Sequence, residues 1–98
     1  MYQALPDFIK VKDSPVAGQG LFATEDIPEG VDLGISHVVV DESIMRTPLG
    51  GFVNHSDKPN CIKIEEEQEW GKIYYMRTIK EIKSGEELFL KYTFYSVL

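Results

Sequence analysis

Apolar residues along this chain come in short bursts separated by turn residues, the pattern of strands rather than of helices. Phe8-Ile9-Lys10-Val11-Lys12 reads as a strand, Ser14-Pro15-Val16-Ala17-Gly18-Gln19-Gly20 as turn and loop, and Leu21-Phe22-Ala23 as a second short apolar step. Ile27-Pro28-Glu29-Gly30 is a turn leading into a strand over Leu33 to Val40. Asp41 to Pro48 is irregular, with room for one helical turn, and Gly50-Gly51 breaks the chain again. Cys61 to Glu65 can pair with Lys72 to Arg77 as a hairpin whose acidic tip runs from Glu65 to Gly71. Ser84-Gly85 turns into a last strand over Glu87 to Tyr92. No stretch keeps a helical period beyond about two turns, and turn signals recur roughly every ten residues. The predicted fold class is mainly β, with small curved sheets and few short helical turns.

The chain also echoes itself. Ile27-x-x-Gly30-x-x-Leu33 recurs as Ile82-x-x-Gly85-x-x-Leu88. In each copy an isoleucine anchors a turn, a glycine permits a positive φ, and an apolar residue starts the next strand. Chance repetition in a turn-rich β protein and a pair of matching turn-to-strand units both explain this.

Composition narrows the function classes. Ninety-eight residues make a single domain, 1–98, and a chain of this size buries only about two-thirds of its unfolded surface. Aromatic residues make up 11% of it, which favours strands over a helical bundle. The net charge of −6 comes without a basic stripe, so nucleic acid is not an expected partner, and a basic, Lys-containing protein or peptide is. The lone cysteine, Cys61, can form neither an internal disulfide nor a Cys cluster for zinc, and fits a reducing compartment. No basic-then-apolar leader and no run of about 20 apolar residues is present. A soluble intracellular protein, not secreted and not in a membrane, is expected.

Three clusters carry candidate chemistry: Gly18-Gln19-Gly20-Leu21-Phe22-Ala23, then Phe52-Val53-Asn54-His55-Ser56-Asp57-Lys58-Pro59-Asn60-Cys61, then Gly85-Glu86-Glu87-Leu88-Phe89-Leu90-Lys91-Tyr92. On their own terms, Gly18 and Gly20 let the backbone between them approach a ligand closely, or simply make a hairpin turn. His55 could act as a base, a metal ligand or a structural histidine. Cys61 and Asp57 are the only nearby second ligands and neither is well spaced, so no metal is assigned. Cys61 with His55 or His37 could form a nucleophile and base, but no third member or oxyanion site accompanies them. Glu86 and Glu87 are acid/base candidates by type, yet they sit where a turn enters a strand.

Taken in order, the three clusters closely resemble the motifs of the SET-domain lysine methyltransferases, and they span Gly18 to Tyr92. The resemblance implies a β-clip fold with a knot-like threading of the C-terminal part, and S-adenosylmethionine as methyl donor. It implies that the loop of Gly18, Gln19, Gly20 and Leu21, together with Asn54, His55 and Tyr92, binds this cofactor. Asn54 would hold the amino end through its side chain, and His55 the adenine end through its backbone. Tyr92 is the catalytic residue so implied, placed where the lysine amine meets the methyl sulfonium. Leu90, Phe94 and Tyr95, with Phe52 and Ile35, would wall the lysine channel.

The chain departs from the family in its size. About twenty residues separate Gly30 from Gly50, where relatives carry a peptide-binding insert, and no pre-domain or zinc-binding post-domain is visible. The small viral members come nearest in size, and a homodimer could supply the missing walls. A catalytically weak module of the same fold, binding cofactor or peptide without transfer, is the alternative. One expectation is quantitative. An aromatic at the position of Leu90 often limits the methyl count in the family, so aliphatic Leu90 leaves room for more than one methyl. Mass spectrometry of a modified peptide should then show di- or trimethylated product, and product that stalls at one methyl contradicts this.

Overall fold

The structure, a computed structural model, describes residues 4–91. Eight strands and one short helix occur in the order β1 (Ile9–Asp13), β2 (Gln19–Ala23), β3 (Asp32–Val40), β4 (Ser43–Arg46), α1 (Pro48–Phe52), β5 (Asn54–His55), β6 (Cys61–Gln68), β7 (Gly71–Thr78) and β8 (Phe89–Leu90). They form three small sheets: β1-β2, β4-β3-β7-β6, and β5-β8. Among the described residues only β5 and β8 pair in parallel, with Asn54 opposite Phe89 and His55 opposite Leu90. The mainly β class read from the sequence is the one observed.

Several boundaries differ from the sequence reading. Asp41 to Pro48 is not irregular. Val40 pairs with Ser43 across the turn Asp41-Glu42, and β4 follows as an edge strand beside β3. Every residue of β4 is exposed, so no burial period marked it. The acidic segment Glu65-Glu66-Glu67 is strand rather than tip. Gln68 pairs with Gly71, which leaves only Glu69-Trp70 in the turn. Gly50-Gly51 lies inside α1 instead of breaking the chain. Thr47 caps this helix by accepting from the Gly50 N–H, and Pro48 occupies its first turn, where a missing N–H costs nothing. A Cβ on Gly50 would collide with the Ser36 carbonyl, so glycine lets the helix lie directly against β3. The last strand is shorter than expected, because Glu87 makes only an isolated bridge with Phe22 before β8 begins.

The internal echo is a structural pair. Ile27 and Ile82 exchange backbone hydrogen bonds, N to O, at 2.7 and 2.8 Å. Gly30 and Gly85 both take left-handed φ values, 83° and 89°. The Gly30 N–H donates to Thr78 O and the Gly85 N–H to Ala23 O, so each turn clamps a neighbouring strand end. Ile27, Ile82, Leu33 and Leu88 are all buried in one core with Leu21, Leu49, Val53, Met76 and Leu90. The two units face each other across that core and set β2 and the segment before β8 side by side.

Among the described residues no helix is long and apolar enough to cross a membrane. Among the described residues three titratable groups are buried, Cys61, His37 and Glu87, and the last belongs to the site described below. Cys61 is buried, and burial pushes its thiol up to about 12, so no thiolate is available as a nucleophile at neutral pH. His37 is buried on β3. Ser36 Oγ donates to Tyr74 O at 3.2 Å and so accepts from His37 Nδ1 at 2.9 Å. Burial, and then the Lys63 and Arg46 cations, draw the His37 imidazole from 6.5 down to about 4.

A histidine with a depressed folded pKa stabilises the protein above its unfolded value, and this stability is lost as pH falls. Between pH 6.5 and about 4 the unfolded chain takes up the proton and the folded one does not. A shift of this size corresponds to about 3 kcal/mol. The urea midpoint should therefore fall steadily from pH 7 to pH 4.5, and His37→Asn should flatten that slope whatever it does to absolute stability. A slope unchanged by the substitution contradicts this account of His37.

Candidate cofactor and substrate site

The glycine loop is closed by its own backbone. The Ser14 N–H donates to Gly18 O at 2.8 Å, and Gly18 takes φ 47°, a left-handed value that suits glycine. Ser14 Oγ also accepts from the Val16 and Ala17 N–H groups at 3.0 and 3.4 Å. A side-chain turn of this kind satisfies backbone donors that a loop would otherwise leave to water. Leu21, the next residue but two, turns into the core instead of toward the loop, and its carbonyl accepts from the Leu88 N–H at 2.8 Å. Of the four loop residues expected to meet a cofactor, Gly18 and Gln19 are exposed, whereas Gly20 and Leu21 are buried.

The second cluster meets this loop directly. Helix α1 ends at Phe52, buried Val53 pins the chain, and Asn54 opens β5. Asn54 Nδ2 donates to Ala17 O at 3.1 Å, to Gln19 O at 3.4 Å and to Glu87 Oε2 at 2.7 Å. Among the described residues no donor reaches Asn54 Oδ1. His55 is exposed, with Nε2 3.3 Å from Asp57 Oδ1, and its backbone belongs to the β5-β8 pair.

The third cluster is gripped from both edges by the second. The Ser56 N–H donates to Leu90 O at 2.9 Å on one edge of β8. On the other, Asn60 Nδ2 donates to Glu87 O at 2.9 Å and Asn60 Oδ1 accepts from the Phe89 N–H at 2.7 Å. Asn60 therefore locks β8 in place. Leu90 is buried, and with Cys61, Lys63, Tyr74 and Lys91 it lines a cavity of about 200 Å³. Burial lowers the pKa of the Lys63 ammonium at this wall, and burial followed by a hydrogen bond to Glu65 pushes the Tyr74 phenol up to about 12.

The residues read from sequence thus fall into groups. Gly18, Gln19, Gly20 and Asn54 come together, and His55 lies beside Leu90 across the parallel pair. Phe52 is exposed at the end of α1, two residues before Asn54. Ile35 sits in a different sheet, opposite Tyr75 on β7, on the face turned away from Met76. Tyr92, Phe94 and Tyr95 lie outside the described residues. Glu87 and Ser14 are the residues that sequence reasoning passed over. Ser14 Oγ donates to both carboxylate oxygens of Glu87, at 2.8 and 3.0 Å, and Glu87 is only 8% exposed. Its neighbour Glu86 instead accepts from the Lys83 N–H across the exposed turn. No local pattern tells the two glutamates apart, since strand alternation would set Glu86, not Glu87, on the face of the buried Leu88 and Leu90.

Solved structures share this fold. No curated protein sequence matches the chain. Among solved structures, a candidate histone methyltransferase of Plasmodium falciparum superposes with TM-score 0.73 at 18% identity, over 89% of this chain and 94% of that one. Two inhibitor-bound structures of a humanized mutant of the Chaetomium thermophilum Polycomb Repressive Complex 2 superpose with TM-scores of 0.68 and 0.70 at 24% identity, over 87% of this chain and 15% of that one. These likenesses establish the fold. The sequence profile of the SET domain matches residues 31–93, well over half of the chain, and the protein belongs to the SET-domain family.

Proposed function

We propose that the protein is an S-adenosylmethionine-dependent methyltransferase that modifies a lysine side chain of a basic protein or peptide. The observation that carries this reading is the meeting of the Gly18 loop, Asn54 and the β8 segment at one place, from three separated parts of the chain. The residues present fit the methionine end of that cofactor. Asn54 offers to an ammonium an acceptor, Oδ1, that no donor among the described residues engages, and at Gly18 the bare backbone leaves open space. S-adenosylmethionine, when bound, supplies a methyl group on a sulfonium centre.

The chain's own residues would prepare the acceptor. A lysine amine with its usual pKa needs about 4–5 kcal/mol to lose its proton at neutral pH. The wall formed by Leu90 and Cys61 is apolar, and a desolvated ammonium gives up its proton more readily. Lys63 and Lys91 at the same cavity act in the same direction, since like charges disfavour a further cation. The buried carboxylate of Glu87 is turned toward Ser14 and Asn54 and does not line the Leu90 cavity, so it is not placed beside the incoming amine. Tyr92, two residues beyond Leu90, would orient the neutral amine for in-line attack, and alignment would provide much of the rate. The net charge of −6 supports a basic substrate, and a second copy of the chain could complete the channel wall.

Two variants separate binding from transfer. In calorimetry the wild-type chain should bind S-adenosylmethionine, and Asn54→Ala should weaken that binding at least tenfold by removing an acceptor for a charged group. Tyr92→Phe should keep the affinity but lose about a hundredfold or more in methyl transfer from labelled cofactor to a Lys-rich protein. Absence of cofactor binding by the wild-type chain would falsify the proposal. Binding with no transfer to any lysine-containing protein would leave a binding module instead.

A further inference from the structure

We infer that Glu87 is the positioning residue of the cofactor pocket: through Ser14 and Asn54 it fixes both the shape of the Gly18 loop and the direction in which the Asn54 amide faces. The inference rests on the cofactor reading above and adds a residue to it. The first argument concerns the amide. Asn54 Nδ2 is ringed by three oxygens, those of Ala17, Gln19 and Glu87. Turning the amide over would set Oδ1 against two carbonyls and a carboxylate with no hydrogen among them. Only one orientation survives, and in it Oδ1 is the atom left for a ligand. The Glu87 contact is the shortest of the three and the one with a charged acceptor, so it dominates that choice.

The second argument concerns the loop. Ser14 spends its hydroxyl hydrogen on the Glu87 carboxylate while its oxygen accepts from Val16 and Ala17. Glu87 therefore reaches the loop by two routes, through the Ser14 hydroxyl at its start and through Asn54 to the carbonyls of Ala17 and Gln19. The third argument is steric. A Cβ on Gly20 would collide with Glu87 Oε2 and press on Asn54 Nδ2. The glycine that seemed to make room for a ligand makes room for this carboxylate. Finally, Glu87 cannot drift, since Asn60 holds its carbonyl and the following Phe89 N–H. Among the described residues its side-chain partners, Ser14 and Asn54, are neutral, so its negative charge complements an ammonium bound beyond Asn54.

The test compares two ligands: S-adenosylmethionine and its analogue without the α-amino group. Calorimetry with wild type, Glu87→Ala, Glu87→Gln and Ser14→Ala gives the affinities. Glu87→Ala should weaken S-adenosylmethionine about tenfold to a hundredfold while changing the analogue less than about threefold. Glu87→Gln, which keeps an acceptor for Asn54, should recover most of the loss, and Ser14→Ala should fall between. Equal losses for both ligands in Glu87→Ala, or no loss, would overturn the inference, because a merely structural role does not distinguish them. If Glu87→Ala does not fold, the same comparison in Ser14→Ala and Glu87→Gln decides. A ligand-free measurement stands apart from the cofactor reading. In NMR spectra of the wild type the Asn54 side-chain amide protons should exchange slowly, and in Ser14→Ala faster. If wild type binds neither ligand, the function is lost, and fast exchange of those protons in wild type would dispose of the Glu87 contact as well.

Discussion

One carboxylate joins three segments that are far apart in sequence. Glu87 lies 73 residues from Ser14 and 33 from Asn54, and it hydrogen-bonds both. Bringing such distant groups together costs chain entropy, and the cost is met jointly, because a buried carboxylate stripped of its donors would be far more expensive. The loop, β5 and the approach to β8 are therefore coupled: each supplies a group that the others need. The candidate site and the tertiary closure of the chain are the same set of contacts.

That closure needs a scaffold to deliver its parts, and the paired turns provide it. The reciprocal Ile27 and Ile82 hydrogen bonds bring two distant turns together, and Gly30 and Gly85 then direct the strands that follow. Around them the buried Leu21, Leu88 and Leu90 form the floor beneath the site, with Met76 from β7 in the same core. A domain this small has little burial to spare, so residues that line the site on one side serve the core on the other. Leu21 and Leu90 both illustrate this double use.

Much of this was legible in the residues. Alternating apolar bursts and turn chemistry marked β1, β3, β6 and β7 because their side chains are sorted by burial. The Gly18 loop, Asn54 and the Glu87 segment were legible as motifs. β4 was not, since an edge strand exposed on both faces carries no period. The acidic run of β6 looked like a turn because its composition is polar, whereas cross-strand pairing with Tyr74 and Lys72 makes it strand. α1 was hidden by its glycines, which close packing against Ser36 requires. Glu87 and Ser14 were missed for a deeper reason. Their roles arise from a contact across most of the chain, and nothing local distinguishes Glu87 from Glu86.

The central claim is that one pocket is assembled from the Gly18 loop, β5 and β8. Backbone amide chemical shifts followed during titration with S-adenosylmethionine test it most directly. The account predicts that Ala17 to Gly20, Asn54, His55 and the residues around Leu90 shift together along a single binding curve. Shifts confined to the β4-β3-β7-β6 sheet, or spread over faces that do not include all three segments, would contradict it.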